Sequence, residues 1–263
     1  MSIHADCKII AVAIQKGGVG KTTVTRHVAH CLSAAGQRVL MIDLDPQSSL
    51  TAICSAVAGP DLADVLGDTQ PGKLGLADVI RAVGPGLDIA PASIRLAQTE
   101  SGLVLRRARE YVLRRALEPV VGNYDYILID CPPALGMLLS NALIASQWVI
   151  VPVLLDAMSL HSIGLFLDSL SAMQGDYPTV ARLLGTVIAR STGRTTLARE
   201  MLAEMTSRPE LRLFQTIIPA TVRVEEAALM SQPIHEYDPT SPAALAYGEL
   251  TKEVIDRGKE IIR

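Results

Sequence analysis

A chain of 263 residues fits one large α/β domain or two small ones. Hydrophobic residues make up 49% and charged residues 19%, which supplies a sizeable core and excludes an extended disordered chain. A net charge of −3 excludes a surface coated in basic charge for nucleic acid, and two Phe with one Trp are too few for an aromatic platform on single strands.

In chain order, a polar start runs into the apolar stretch KIIAVAI, which is read as a first strand at 8–14. It lacks the cationic region, long apolar segment and cleavage site of a signal peptide. Further strands are predicted near 38–43, 87–90, 126–130, 148–154, 183–189 and 213–218, most of them separated by enough chain for a crossover helix. Their near-continuous apolar character predicts a mostly parallel twisted sheet with helices on both faces, in a single domain covering 1–263. Ligands in such sheets bind beyond the carboxyl ends of the strands, so the residues just after each strand carry the functional reading.

Between the strands, apolar residues at Val24, Val28, Cys31, Leu32 and Ala35 form one stripe of a helix. The stretch 58–75, rich in Gly, Pro and Asp, is expected to be a long connection with at most one short helix. Near the end, Ser241 is an N-cap with Pro242 at the first helical position. The longest apolar run, WVIVPVLL at 148–155, falls well short of the ~20 residues of a membrane span, so a soluble protein is expected. Four cysteines at 7, 31, 54 and 131 show no C-x-x-C spacing and are expected to be reduced thiols in the cytoplasm. His27, His30 and Cys31 lie close on one helix, but zinc needs three or four convergent ligands, so they are read as helix surface.

Three stretches carry chemistry. QKGGVGKTT, at 15–23, joins the first strand to a helix, the context that a phosphate loop requires. Gly17, Gly18, Val19 and Gly20 would turn backbone N–H groups toward phosphates, with Thr22 and Thr23 at the positively polarised helix start. Lys21 would reach the β and γ phosphates and the Thr22 hydroxyl would hold Mg2+. Gln15 stands where the general pattern has Gly, and Lys16 is a second lysine that by itself reads as a solvated charge at the loop edge. VLMIDLDPQSSLT, at 39–51, puts Asp43 and Asp45 at the end of the second strand, where two carboxylates beside phosphates require a cation or a water between them; alone, Asp-Pro only starts a turn. YDYILIDCPPALG, at 124–136, ends an apolar strand in Asp130, a carboxylate able to hold Mg2+ through water, before a loop stiffened by Pro132 and Pro133.

The Lys-Gly-Gly-x-Gly-Lys-Thr form resembles the deviant Walker A motif of the ParA/MinD superfamily of ATPases, a SIMIBI-type branch of the P-loop NTPases. The other motifs follow in that superfamily's order from about residue 8 to residue 258. The resemblance implies that Lys16 crosses to the nucleotide of a second subunit in a homodimer closed around two ATP molecules. It further implies that Asp45 positions the attacking water, that Asp43 and Asp130 belong to the Mg2+ network, and that the D-x-P-P segment after Asp130 senses the γ-phosphate. The stretch 216–247 is similar to the signature of the ParA/Soj branch, whose loop around Pro219 packs on adenine.

Within the superfamily, the nitrogenase iron protein is excluded because no cysteine stands in the 63–72 stretch to hold a cluster. With about seven residues before the first strand and GKEIIR after the last helix, neither an N-terminal helix-turn-helix region nor a MinD-like membrane helix is expected, which leaves the small Soj-like type. That type implies a slow, Mg2+-dependent ATPase that binds double-stranded DNA without sequence preference when ATP-bound, and so gathers on the nucleoid. A ParB-like protein would stimulate it, as a switch in plasmid or chromosome partitioning. From Arg182 to Arg223 there are seven Arg against three Glu. Arg194 and Arg223 match DNA-binding positions of relatives, and Arg190 and Arg199 are their neighbours. The cluster Arg106, Arg107, Arg109, Arg114 and Arg115 is read as the outer face of a helix. Two alternatives remain: a relative that positions another cargo or supports cellulose synthesis, and a metabolic P-loop enzyme similar to dethiobiotin synthetase.

Overall fold

The computed structural model describes residues 7–67, 74–191 and 195–260. In chain order the elements are β1 (Lys8–Val12), α1 (Lys21–Ala34), β2 (Val39–Asp43), α2 (Ser49–Ile53), α3 (Leu62–Leu66), β3 (Arg81–Gly84), β4 (Leu87–Ala90), α4 (Arg95–Leu103), α5 (Val112–Leu117) and β5 (Tyr126–Asp130). There follow α6 (Met137–Ala145), β6 (Trp148–Val153), α7 (Ser159–Asp176), β7 (Arg182–Ser191), α8 (Thr196–Thr206), β8 (Leu213–Pro219), α9 (Val222–Leu229), α10 (Ile234–Tyr237) and α11 (Pro242–Glu260). The eight strands form one sheet in the order β3-β4-β2-β5-β1-β6-β7-β8. Every pairing is parallel except β3 with β4.

The strands are apolar on both sides because both faces are covered. Ile10, Val12, Met41 and Leu128 point into one core with Val24, Val28 and Leu32 of α1 and Leu250 and Val254 of α11. Their chain neighbours Ile9, Ala11, Leu40 and Ile127 point into the other, against Leu138 and Leu143 of α6 and Phe166 of α7. Pro152 sits inside β6 without disturbing the ladder. The Ile150 carbonyl already bonds the Ala13 N–H on the β1 side, and the missing N–H of residue 152 faces the same side beyond the last β1 pair. At the opposite edge, Glu253 of α11 accepts the backbone N–H groups of Gln215 and Thr216, which blunts β8 as a pairing template. Ser241 caps α11 as expected, its Oγ accepting the Ala244 N–H at 3.2 Å.

Two readings change. The segment 81–84 is a strand that the pattern did not reveal: β3 is a short, largely uncovered edge joined to β4 by a turn in which Gly86 has φ 64°. Helix α1 is also covered more widely than its apolar stripe suggested, because α11 lies over it, and Arg26 and His27 are both buried. His27 is therefore a core residue. Its Nδ1–H donates to the Thr23 carbonyl at 2.7 Å, its Nε2 accepts the Ile234 N–H at 3.1 Å, and its ring stacks on Tyr247 at 4.5 Å.

That arrangement admits only the neutral ring, and burial pushes the His27 pKa down to about 3. An unfolded histidine takes up its proton near pH 6.5, so His27 contributes stability above that pH, which is lost as the pH falls toward 3. The loss is about 2 kcal/mol by pH 5. Unfolding free energies from urea titrations at pH 7 and pH 5, for the parent and His27→Gln, should diverge by about this amount; subtraction largely removes the titrations of His30, His235 and Asp43, which both proteins share. Parallel curves would mean that the ring is not held neutral.

Candidate nucleotide-binding site

The carboxyl ends of β1, β2, β5, β7 and β8 meet around a cavity of about 480 Å³. Its walls include Gly17, Gly18, Gly20, Lys21, Thr22 and Thr23 from the first loop and Asp45 and Gln47 from the second. Pro133, Arg190, Pro219, Glu225 and Tyr247 are among the other lining residues. Gly18 and Gly20 take φ of 71° and 93°, a region that side chains disfavour, and the turn they make brings the chain into α1 with Gly20 as its N-cap. Val19 is buried in the core and acts as the loop's anchor.

Lys21 is 7% exposed, and its Nζ donates to the Lys16 carbonyl at 3.1 Å. Burial lowers its pKa, opposed by Asp130. The Thr22 hydroxyl donates to Asp130 Oδ2 at 2.6 Å. Asp130 is 1% exposed, and its Oδ1 has no hydrogen-bond partner among the described residues. Burial, then the Asp43 charge, raises the Asp130 pKa well above the carboxylate range. Asp43 stands opposite it in register, raised to about 6, chiefly by burial. Its oxygens are already engaged: Oδ2 accepts the N–H and hydroxyl of Thr51, both at 2.7 Å, and Oδ1 accepts the Asp45 N–H at 3.3 Å. Asp45 is freer, with Oδ1 accepting the Gln47 N–H at 2.9 Å in a turn.

This chemistry fits a nucleoside triphosphate with a divalent cation. An orphan oxygen on a buried carboxylate, a hydroxyl beside it and two neighbouring carboxylates make a local excess of negative charge that a cation would offset. Asp130 and Thr22 have the free capacity to hold it, and Asp43, with both oxygens bonded, is better placed to fix the second loop.

Lys16 is not on the cavity wall. Its Nζ pairs with Asp156 Oδ2 at 2.6 Å, on the loop that follows β6. The sequence reading missed Asp156, although it too stands just past the carboxyl end of a strand. Arg190, grouped by sequence with the DNA-facing arginines, also lines the cavity. It has φ 54°, and its side chain, 56% exposed, pairs with Glu225 at 3.1 Å. Arg199 is exposed on α8, and Arg223, with a side chain 54% exposed, pairs with Glu226 and Asp238. Arg194 lies outside the described residues. The cluster at 106–115 is not one helix face: Arg106 bonds the carbonyls of Leu66 and Gly67, and Arg109 and Arg115 bond local carbonyls. Among the described residues, no group of three or more Cys, His, Asp or Glu is arranged to hold a metal, and no helix is long and apolar enough to cross a membrane.

A parallel sheet with a glycine loop running into a buried helix, and a strand-end carboxylate bonded to the loop's Thr, defines a P-loop nucleotide-binding protein. Comparison with known proteins narrows the class. A family model described as an AAA domain matches residues 7–180. The chain is 38% identical to the sporulation initiation inhibitor protein Soj of Bacillus subtilis, covering 95% of this chain and 99% of that one. It is 33% identical to the chromosome partitioning protein ParA of Caulobacter vibrioides, covering 96% of each. A crystal structure described as cobyrinic acid a,c-diamide synthase from Mycobacterium smegmatis, with bound ATP analogue and magnesium, superposes with a TM-score of 0.82 at 33% identity, covering 96% of each chain. The chain belongs to the ParA/Soj family of P-loop ATPases.

Proposed function

We propose that this protein is an Mg2+-dependent ATPase that closes as a homodimer around two ATP molecules, holds double-stranded DNA in that state and lets go after hydrolysis. A ParB-like activator would stimulate the reaction, making the protein a slow switch for segregating a plasmid or chromosome, cytoplasmic and nucleoid-associated when ATP-bound. The observation that carries the reading is the division of labour between two lysines. Lys21 lines its own cavity, whereas Lys16 is off the wall and partly exposed in a pair with Asp156, from which it would be released to a second subunit's phosphates. Similarity to partition proteins over nearly the whole chain supports the same reading.

Within one subunit, the loop amides and Lys21 would bind and orient the triphosphate. Asp130 and Thr22 would hold Mg2+, which when bound supplies positive charge to the β and γ phosphates. Asp45 would orient the attacking water. Pro219 and Tyr247, which also line the cavity, would contact the base.

A shift assay on duplex DNA with ATP, ADP and no nucleotide tests the proposal: retention with ATP alone is expected. Arg194→Glu combined with Arg223→Glu should eliminate binding at moderate salt. Weaker single-site variants should flatten the dependence of log K on log salt by about 0.9 for each DNA phosphate that is no longer neutralised. Undiminished binding would shift the DNA surface to Arg107 and Arg114. A second reading is favoured by the Mycobacterium smegmatis neighbour, whose description is that of a small-molecule synthase. It predicts turnover that depends on a small acceptor, with no retention of DNA under any nucleotide.

A further inference from the structure

A second cavity, of about 460 Å³, lies along the later turns of α1, and shares no lining residue with the nucleotide cavity. Its size is within the ~300–1,000 Å³ of small-molecule sites. Three of its walls are apolar: Met41 from β2, Leu87 from β4 and Val83 from the edge strand β3. The fourth is charged. Arg26 lines it while only 5% exposed. Its Nη2 donates to the Ser231 carbonyl at 2.6 Å, and among the described residues it makes no other hydrogen bond and no ion pair. Glu236 also lines the cavity, but its side chain is 56% exposed and lies 3.9 Å from His30. Glu236 thus makes no ion pair or hydrogen bond with the buried guanidinium, although its charge is felt there and partly offsets the burial.

A buried, unpaired guanidinium is costly, and its planar fork of donors matches a carboxylate. Burial lowers its pKa but leaves it charged at neutral pH. The surrounding walls mix the hydrocarbon of Met41, Val83 and Leu87 with the neutral polar groups of Ser33, Cys54 and Ser231. We infer that this cavity binds a small carboxylate with an apolar body, its charged end on Arg26 and its body against Met41, Val83 and Leu87. Since α1 begins at the phosphate loop, such a ligand would rest on the helix that carries Lys21 and Thr22. The inference is independent of the nucleotide and DNA readings, because it draws on neither site.

The test uses the full chain with its methionine methyl groups labelled for NMR, titrated with hexanoate and benzoate and, in parallel, with the neutral hexanamide and benzamide and with inorganic phosphate. The carboxylates should move the Met41 methyl signal saturably, at least tenfold more tightly than the amides or phosphate. Arg26→Met should weaken them at least tenfold. Val83→Trp, which fills the cavity from an edge strand and leaves Arg26 in place, should do the same, and it decides the matter if Arg26→Met does not fold. Amides or phosphate binding as tightly as the carboxylates would overturn the inference, as would a silent Met41 signal or an unchanged affinity in Val83→Trp.

Discussion

Replacing Lys16 with alanine should leave ATP binding by the single subunit within a few fold and remove the ATP-dependent doubling of mass seen by light scattering. The fold should survive. The Lys16–Asp156 pair is partly solvated, with side chains 23% and 40% exposed, and pairs of that kind contribute about 0–1 kcal/mol. Own-site binding should survive as well, because the cavity wall is made by the glycines, Lys21 and Thr22 without Lys16. On the proposed reading the variant would lose a cation supplied to a neighbour's phosphates, a role comparable to an arginine finger, which contributes ~10³ to 10⁵ in rate, or about 4–7 kcal/mol of barrier. Stimulated hydrolysis should therefore fall by at least ~10³. An unchanged ATP-induced mass would reject the role in trans, whatever the effect on rate.

Asp45→Ala should have the opposite effect on assembly: the ATP-bound dimer accumulates while hydrolysis falls, by ~10² or more if the carboxylate orients the water. Asp45 is suited to this because it lines the cavity and spends one oxygen on the Gln47 N–H. Removing it takes negative charge away from the phosphates, so ATP should bind at least as well as before. Asp45→Asn is the control, since it keeps the turn and loses the charge. Quantified single-turnover hydrolysis alongside sedimentation of the ATP-loaded protein separates the two effects. Rapid turnover in Asp45→Ala would remove the residue from the mechanism.

The seven apolar strands were legible because a sheet covered on both faces leaves nearly unbroken runs of Val, Ile and Leu. β3 was not, since an uncovered edge of four residues needs no such run and leaves no periodic signal. The loop residues could be placed from spacing alone, as strand, glycines, Lys and Thr fix one another's positions. Asp156 stood where the strand-end rule points, but its pairing with Lys16, like the place of Arg190 on the cavity wall, follows from β6 lying beside β1 and β7 beside β6, a tertiary fact. His27 was misjudged for a similar reason: the helix that covers it, α11, lies more than 200 residues further along the chain. The arginines at 106–115 read as the outside of a helix, but a turn at 104–108 interrupts it, and Arg106, Arg109 and Arg115 bond carbonyl groups.

The Thr51 hydroxyl not only donates to Asp43 but also accepts the Ala92 N–H at 2.8 Å, so three separate segments are tied at one point. Residues 44–50 thus form a ring with a closed neck. Its rim can be rebuilt while the neck stays fixed, so exchanges at the rim would reset the position of the Asp45 carboxylate without asking the sheet to move. Loosening the neck by Thr51→Val would instead blur the timing of the reaction before it cost the molecule its shape.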